Sequence, residues 1–396
     1  MSHSPRLLRG ALLLAVAAVV GLVSAAAVQA QGISLPPSGG NQRASVTQHI
    51  GLVEVRIDYS SPDVTGPQGQ DRRGQIWGQL VPWGLANLGF GTSTAAPWRA
   101  GANENTVFTV SHDVLVQGEE LPAGSYGFHV IPREDGPWTL IFSHDSTSWG
   151  SFFYDPSEDA LRVEATPEPA PFREWLTYDF VDRQQSRATV ALWWEELRLP
   201  FTVEVPDGNE IYIARIRQEL RNSPGFSWQA WDAAANFVVS SAAAGQGGDL
   251  EEALVWAETA IGAPFVGAAN FTTLSTKARV QAAMGDRAAA AETLRAAVEH
   301  PTATPAAVHT LARTLQGQGD TESAVAIFKL NAERFGDEVW PVTVGLARAY
   351  SAEGDYDKAL EYARIAREQA PDPLNQGNLD AAIQLLEEGK DFNLTN

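Results

Sequence analysis

The sequence predicts an α+β multidomain chain, with an antiparallel β-sandwich of jelly-roll-like character followed by an α-helical solenoid. Three observations predict it. Short runs of alternating apolar residues fill residues 44–205, with turn signals between them. A Gly-Asp pair then recurs at Gly248-Asp249, Gly285-Asp286, Gly319-Asp320 and Gly354-Asp355, at spacings of 37, 34 and 35 residues. Finally, 396 residues with 44% hydrophobic and 19% charged composition are enough for two separate cores.

The N-terminus carries an address. Arg6 and Arg9 precede the apolar run Ala11–Val23, and Val28-Gln29-Ala30 places small residues at −3 and −1 of a cleavage point. This pattern reads as a secretory signal peptide over residues 1–30, too short to span a bilayer. The expected product starts at Gln31, is periplasmic or secreted, and has no membrane span. Residues 31–42 are polar and rich in Pro and Gly, which reads as a flexible lead-in.

Residues 43–206 are expected to form the β domain. In Val53, Val55, Ile57 and Tyr59 every second residue is apolar, with Glu54, Arg56 and Asp58 between them, so one face is buried and the other wet. Similar runs occur at Thr106–His112, Val114–Gln117, Ser125–Ile131, Trp138–His144, Ala160–Ala165, Trp175–Val181, Thr189–Trp194 and Leu197–Val205. Turns are expected at Gln117–Glu120, Leu121–Gly124 and Pro132–Pro137. Glu119-Glu120 and Glu195-Glu196 read as solvated edge carboxylates, since neighbours on a strand point to opposite faces.

The period turns helical after residue 207. A linker helix is expected within residues 207–226, running to Arg221 and stopping before Pro224. Residues 227–390 hold the repeats. Ala253, Ala290, Ala324 and Ala359 each lie five positions after a repeat glycine, and Ala260, Ala297 and Ala366 lie twelve after. The glycine ends one helix in a left-handed cap, the aspartate caps the next, and the alanines let the two approach closely. Leu379–Lys390 reads as a capping helix.

Two families are resembled. Residues Ser227–Asp372 are similar to tetratricopeptide repeats in period, although Ala278, Ala312 and Ala347 stand where that family's first helix usually has glycine. The resemblance implies a right-handed solenoid that binds a peptide or protein partner on its concave face. Arg73–Trp83, Trp98–Thr106 (WRAGANENT), Leu121–Gly127 and Trp138–Phe142 resemble the domain-of-unknown-function family numbered 2911 across residues 43–205. That resemblance implies a fold and an exported address, with no activity to inherit. The chain departs from the shorter family pattern by carrying Leu85–Ala96 between two of these segments.

The formal charge of −20 disfavours nucleic acid, which is bound through clustered Lys and Arg. Zero cysteine excludes disulfides, thiol catalysis and Cys-ligated metals. No GxSxG elbow, phosphate-cradling loop or HExxH is present, and no catalytic residue is assigned. A carboxylate pair distant in sequence stays open, because only the fold assembles such pairs.

The candidate ligand site is Trp98, Arg99, Asn103 and Glu104, whose guanidinium, amide and carboxylate can grip a carboxylate or sugar hydroxyls. The competing expectation is an internal Arg99–Glu104 pair that merely fixes the loop. Trp149, after the polar stretch His144–Ser148, is the candidate exposed sugar-stacking ring. His112, His129 and His144 lie on three successive strand segments and form the candidate metal set, although no cofactor is required by the sequence. The expected function is a non-enzymatic binding or assembly role with the solenoid as docking arm. The alternative is a hydrolase-type enzyme, or a carbohydrate or metal binder, acting through the β domain.

Overall fold

A computed structural model of the chain describes residues 40–395. The expected signal peptide and residues 31–39 of the lead-in lie outside the described residues. Among the described residues ten strands come first: β1 (Gln42–Ile50), β2 (Val53–Ser61), β3 (Thr106–Val110), β4 (Val114–Val116), β5 (Glu119–Leu121), β6 (Gly124–Ile131), β7 (Trp138–Ser143), β8 (Asp159–Ala165), β9 (Glu168–Arg183) and β10 (Arg187–Glu204). They form a six-stranded sheet of order β1-β2-β3-β6-β7-β8 and a four-stranded sheet of order β5-β4-β10-β9, antiparallel throughout.

The inner faces of the two sheets share one core. Val53, Val55 and Ile57 of β2 are fully buried in it, as the alternation requires. Phe108, Phe128 and Phe142 from one sheet meet Phe201 of the other, with Phe128 and Phe201 stacked at 5.6 Å. Aromatic rings supply most of the buried area in such a sandwich.

Two departures from the sequence pattern have local causes. Glu119–Leu121 is a strand and not a turn, because Gln117 (φ 52°) and Gly118 (φ 88°) form a two-residue hairpin loop by themselves. The runs Thr189–Trp194 and Leu197–Val205 form one continuous strand, which absorbs its irregularity as register shifts around Glu195 at φ 55°. Between β2 and β3 the chain runs irregularly over residues 62–105. A segment that long without regular elements needs its own packing. Here Trp77, Trp98, Trp138 and Trp194 supply it, with centroids 5.0–6.2 Å apart.

Ten α-helices follow among the described residues: α1 (Gly208–Glu219), α2 (Trp228–Ala243), α3 (Leu250–Gly262), α4 (Phe271–Ala283), α5 (Arg287–Glu299), α6 (Pro305–Gly317), α7 (Thr321–Phe335), α8 (Trp340–Ala352), α9 (Tyr356–Gln369) and α10 (Pro373–Glu387). Helices α2 to α9 are four antiparallel pairs, and α10 closes the array against α9. Gly285, Gly319 and Gly354 sit at φ 79–86°, which only glycine adopts without strain. The next residues, Asp286, Asp320 and Asp355, accept backbone N–H groups of the following helix. The alanines at the repeat positions are buried between paired helices. The closing helix starts earlier than its hydrophobic pattern, because Asp372 caps it and Pro373 takes the first turn.

Helix α1 joins the halves. Ile211 packs on the β core, Ile213 is buried in the helical core, and Glu210 accepts the Gly248 N–H at 2.7 Å.

Candidate functional site

The WRAGANENT loop is stitched to β6 by reciprocal backbone bonds between Trp98 and Val130, at 2.9 and 2.8 Å. Two left-handed residues, Ala100 (φ 51°) and Asn103 (φ 57°), turn it tightly. The buried Ala100 carbonyl accepts the Tyr178 hydroxyl at 2.7 Å and Thr106 Oγ1 at 3.1 Å. The Trp98 indole stacks on Trp194 and donates to the Gly101 carbonyl.

Arg99 does not pair with Glu104. Its Nη1 donates to the Asn103 carbonyl at 2.6 Å, its guanidinium lies over Phe152 at 5.0 Å, and no carboxylate within the described residues forms an ion pair with it. Burial pushes its pKa down. Glu104 instead accepts from Ser60 Oγ at 2.9 Å, and Asn103 Oδ1 accepts from Asn41 at 3.0 Å. Three of the four loop candidates, Trp98, Arg99 and Asn103, line a cavity of about 430 Å³ together with Asn41, Asp63, Arg72, Leu80, Leu88 and Trp194. That volume is in the range of small-ligand sites. Trp149 does not line it. It is 56% exposed, whereas Phe90 packs against Phe152 and Phe153, and Phe152 lies under the Arg99 guanidinium.

The three histidines do not come together. His112 lies beyond Val110, which pairs with Gly124, five residues along β6 from His129. At about 3.3 Å per residue that is roughly 17 Å. His112 Nδ1 bonds Ser111 Oγ at 2.9 Å, and the His144 ring lies 5.7 Å from Tyr126. Among the described residues no three metal-ligating side chains form a metal-binding group. His129 is buried against Ser151, with Nδ1 3.1 Å from Oγ. Burial first, then the nearby Arg99 charge, lowers its pKa to about 4, so the ring is neutral. The His129–Ser151 contact was invisible in sequence because 22 residues separate its partners.

Glu195 also corrects an expectation. It is buried, not a solvated edge, and its carboxylate accepts the Gly74 N–H. The bulge at Glu195 turns it inward, whereas Glu196 stays exposed.

In the helical half, α3 packs on α4 and α7 on α8, but α5 meets the third pair chiefly through α7. This leaves a groove of about 1010 Å³ between the second and third pairs. Alanines (Ala282, Ala283, Ala290, Ala291, Ala326) with Leu294, Leu315 and Ile327 line it, and Arg279, Arg287, Arg295, Glu292 and Glu333 add charges of both signs.

A row of arginines was missed at the sequence level. Ala278-Arg279, Ala312-Arg313 and Ala347-Arg348 each stand seven residues before a Gly-Asp pair, in the first helix of three successive helix pairs. The recurring Ala-Arg dipeptide was the available signal. Arg279 donates to Asn236 Oδ1, which joins α4 to α2. Arg348 donates to Asn393 Oδ1 at 3.0 Å and lies over Phe392.

Comparison with known proteins agrees with this division. Residues 41–203 match a family model described as "Protein of unknown function (DUF2911)". Tetratricopeptide-repeat models match residues 343–377, 272–296 and 305–328. No curated protein matches the chain. Among solved structures, a structure titled "Crystal structure of YrrB: a TPR protein with an unusual peptide-binding site" is 19% identical, with 44% of this chain and 84% of that chain covered and a TM-score of 0.27. A second, "Structure of Naa15/Naa10 bound to HypK-THB", is 20% identical, with 46% of this chain and 29% of that chain covered and a TM-score of 0.28. By the family models alone, residues 41–203 match DUF2911 and segments within 272–377 match tetratricopeptide repeats.

Proposed function

We propose that the chain is an exported, non-enzymatic docking protein whose helical array holds a peptide or protein partner. The observation that carries this reading is the open groove between the second and third helix pairs. Repeat arrays expose long continuous surfaces because each unit buries only the faces that meet its neighbours. A groove floored by small side chains lets a partner backbone come close, and its charged rim can set orientation.

The test uses the full chain. Ala291 and Ala326 are exposed in the groove, so Ala291→Arg with Ala326→Arg fills it without disturbing the buried contacts. Tagged wild-type protein is expected to retain a partner from an envelope fraction that the double variant loses, with helical circular dichroism unchanged. Equal retention by both proteins would overturn the groove as docking site. Export is part of the proposal and rests on residues 1–30. Intact-mass measurement of the product is expected to place its start at Gln31.

The cavity beside Trp98, Arg99 and Asn103 supports a second, small-ligand site on the β domain. Its lining is mostly apolar with a few converging polar groups, which is the usual make-up of such sites.

A further inference from the structure

Arg99 is a half-buried cation that the fold positions and leaves unneutralised. Gly150, at φ 65°, crosses so close to its guanidinium that a Cβ there would collide with Cζ and Nη1. The Phe152 ring lies 5.0 Å away, and the Asn103 carbonyl accepts Nη1 at 2.6 Å. Glycine, ring and carbonyl fix its place without cancelling its charge. Nε and Nη2 make no hydrogen bond among the described residues. The acids of this region are engaged elsewhere. Glu104 accepts from Ser60, Asp63 lies 3.6 Å from Arg72, and Asp145 accepts the N–H groups of Thr147 and Ser148. A cation partly withdrawn from water is costly unless an anion stands opposite it.

The guanidinium stands at the wall of the cavity of about 430 Å³. Arg99 and Asn103 both line it, and Asn41, which donates to Asn103 Oδ1, continues the same wall. The charged wall residues are Arg72, Arg99 and Asp63, a surplus of one positive charge in a chain of net charge −20. Arg72 is already used, since its Nε and Nη2 donate to the Val64 and Asp63 carbonyls at 3.0 and 2.8 Å. The surplus therefore sits on Arg99. Most of the remaining wall is apolar, and Leu80 and Leu88 in it are exposed. Large apolar side chains left wet beside a cavity are the surface that an apolar ligand body covers.

We infer that this cavity binds a small carboxylate with an apolar body, its carboxylate on Arg99 and its body against Leu80, Leu88 and Trp98. The inference rests on the small-ligand site proposed above and adds the ligand's chemistry. A guanidinium meets a carboxylate through two parallel N–H bonds, and Nε with Nη2 offers such a pair. A neutral sugar would leave Arg99 as unneutralised as before, so the charge decides between the two ligand classes that the loop's residue types allow.

The probes are hexanoate and hexanamide, which share shape and differ in charge, titrated into the full chain and followed by saturation-transfer NMR. Wild-type protein is expected to bind the acid about tenfold more tightly than the amide, the worth of a charged hydrogen-bonded contact. Arg99→Gln should abolish that preference and Arg99→Lys retain part of it. Leu88→Trp, at an exposed wall position, narrows the cavity and should weaken both compounds. The acid–amide comparison is made on wild-type protein and needs no variant to fold. Equal binding of acid and amide, or an acid preference that survives in Arg99→Gln, would overturn the inference. Failure of the site itself looks different. If both compounds bind equally and both are lost in Leu88→Trp, the small-ligand site stands and the carboxylate falls. If neither binds wild-type protein, or Leu88→Trp binds both unchanged, the site falls with it.

Discussion

His129 shows at residue scale how a fold assigns a protonation state. The ring is buried beside Ser151 Oγ, with its pKa lowered to about 4 from the ordinary 6.5. The unfolded chain therefore binds the proton more readily than the folded one. Stability is full above about pH 6.5 and falls as the pH drops toward 4, by roughly 3 kcal/mol from this group. Urea midpoints read by tryptophan fluorescence at pH 7.5 and 4.5 should fall less in His129→Gln than in wild type. A parallel loss in both proteins would mean His129 is not the titrating group. Glu195 is a second buried polar side chain, and its Oε1 accepts the Gly74 N–H. Glu195→Ala leaves the Gly74 N–H without that acceptor and is expected to cost about 2 kcal/mol. Glu195→Gln, which still offers an oxygen, should cost less. Denaturant midpoints decide it, and a loss from Ala no larger than from Gln would remove the carboxylate from the account.

At the scale of the element, the helices were more legible than the strands. Each Gly-Asp pair states two local requirements, a left-handed φ and a cap, and neither depends on distant residues. Asp320 accepts the Ser323 N–H of α7 at 3.2 Å, so Asp320→Ala should cost about 1 kcal/mol. Hydrogen exchange should speed up in the first turn of α7 and not in α5. Uniform acceleration through both helices would count against a local cap. Strand alternation was equally plain at Val53–Tyr59, where one face is dry. It failed at Glu119–Leu121 and across Glu195, where a two-residue loop and a bulge decide the outcome through backbone conformation and not through polarity. The WRAGANENT loop was legible as a place, since Gly, Asn and Arg crowd there. Its partners were not: Arg99 turned to the Asn103 carbonyl and Glu104 to Ser60, a choice set by strand register 44 residues away.

For the whole molecule the deciding feature is how the halves are joined without any disulfide. Helix α1 contributes Ile211 to the β core and Ile213 to the helical core, two residues apart on one rigid turn. Neither core can lose its share of α1 without disturbing the other. Eight of the twelve tryptophans lie in the β half, so fluorescence follows that half while circular dichroism at 222 nm follows the helices. Wild-type unfolding by the two probes should coincide, as for one cooperative unit. Ile213→Ala opens a cavity in the helical core at a cost of about 3 kcal/mol. The helical transition should then move to lower denaturant while fluorescence lags behind it. Coincident transitions in the variant would instead mean that the coupling extends beyond α1. Separate transitions already present in wild type would mean that the two halves fold independently, with α1 acting as a tether.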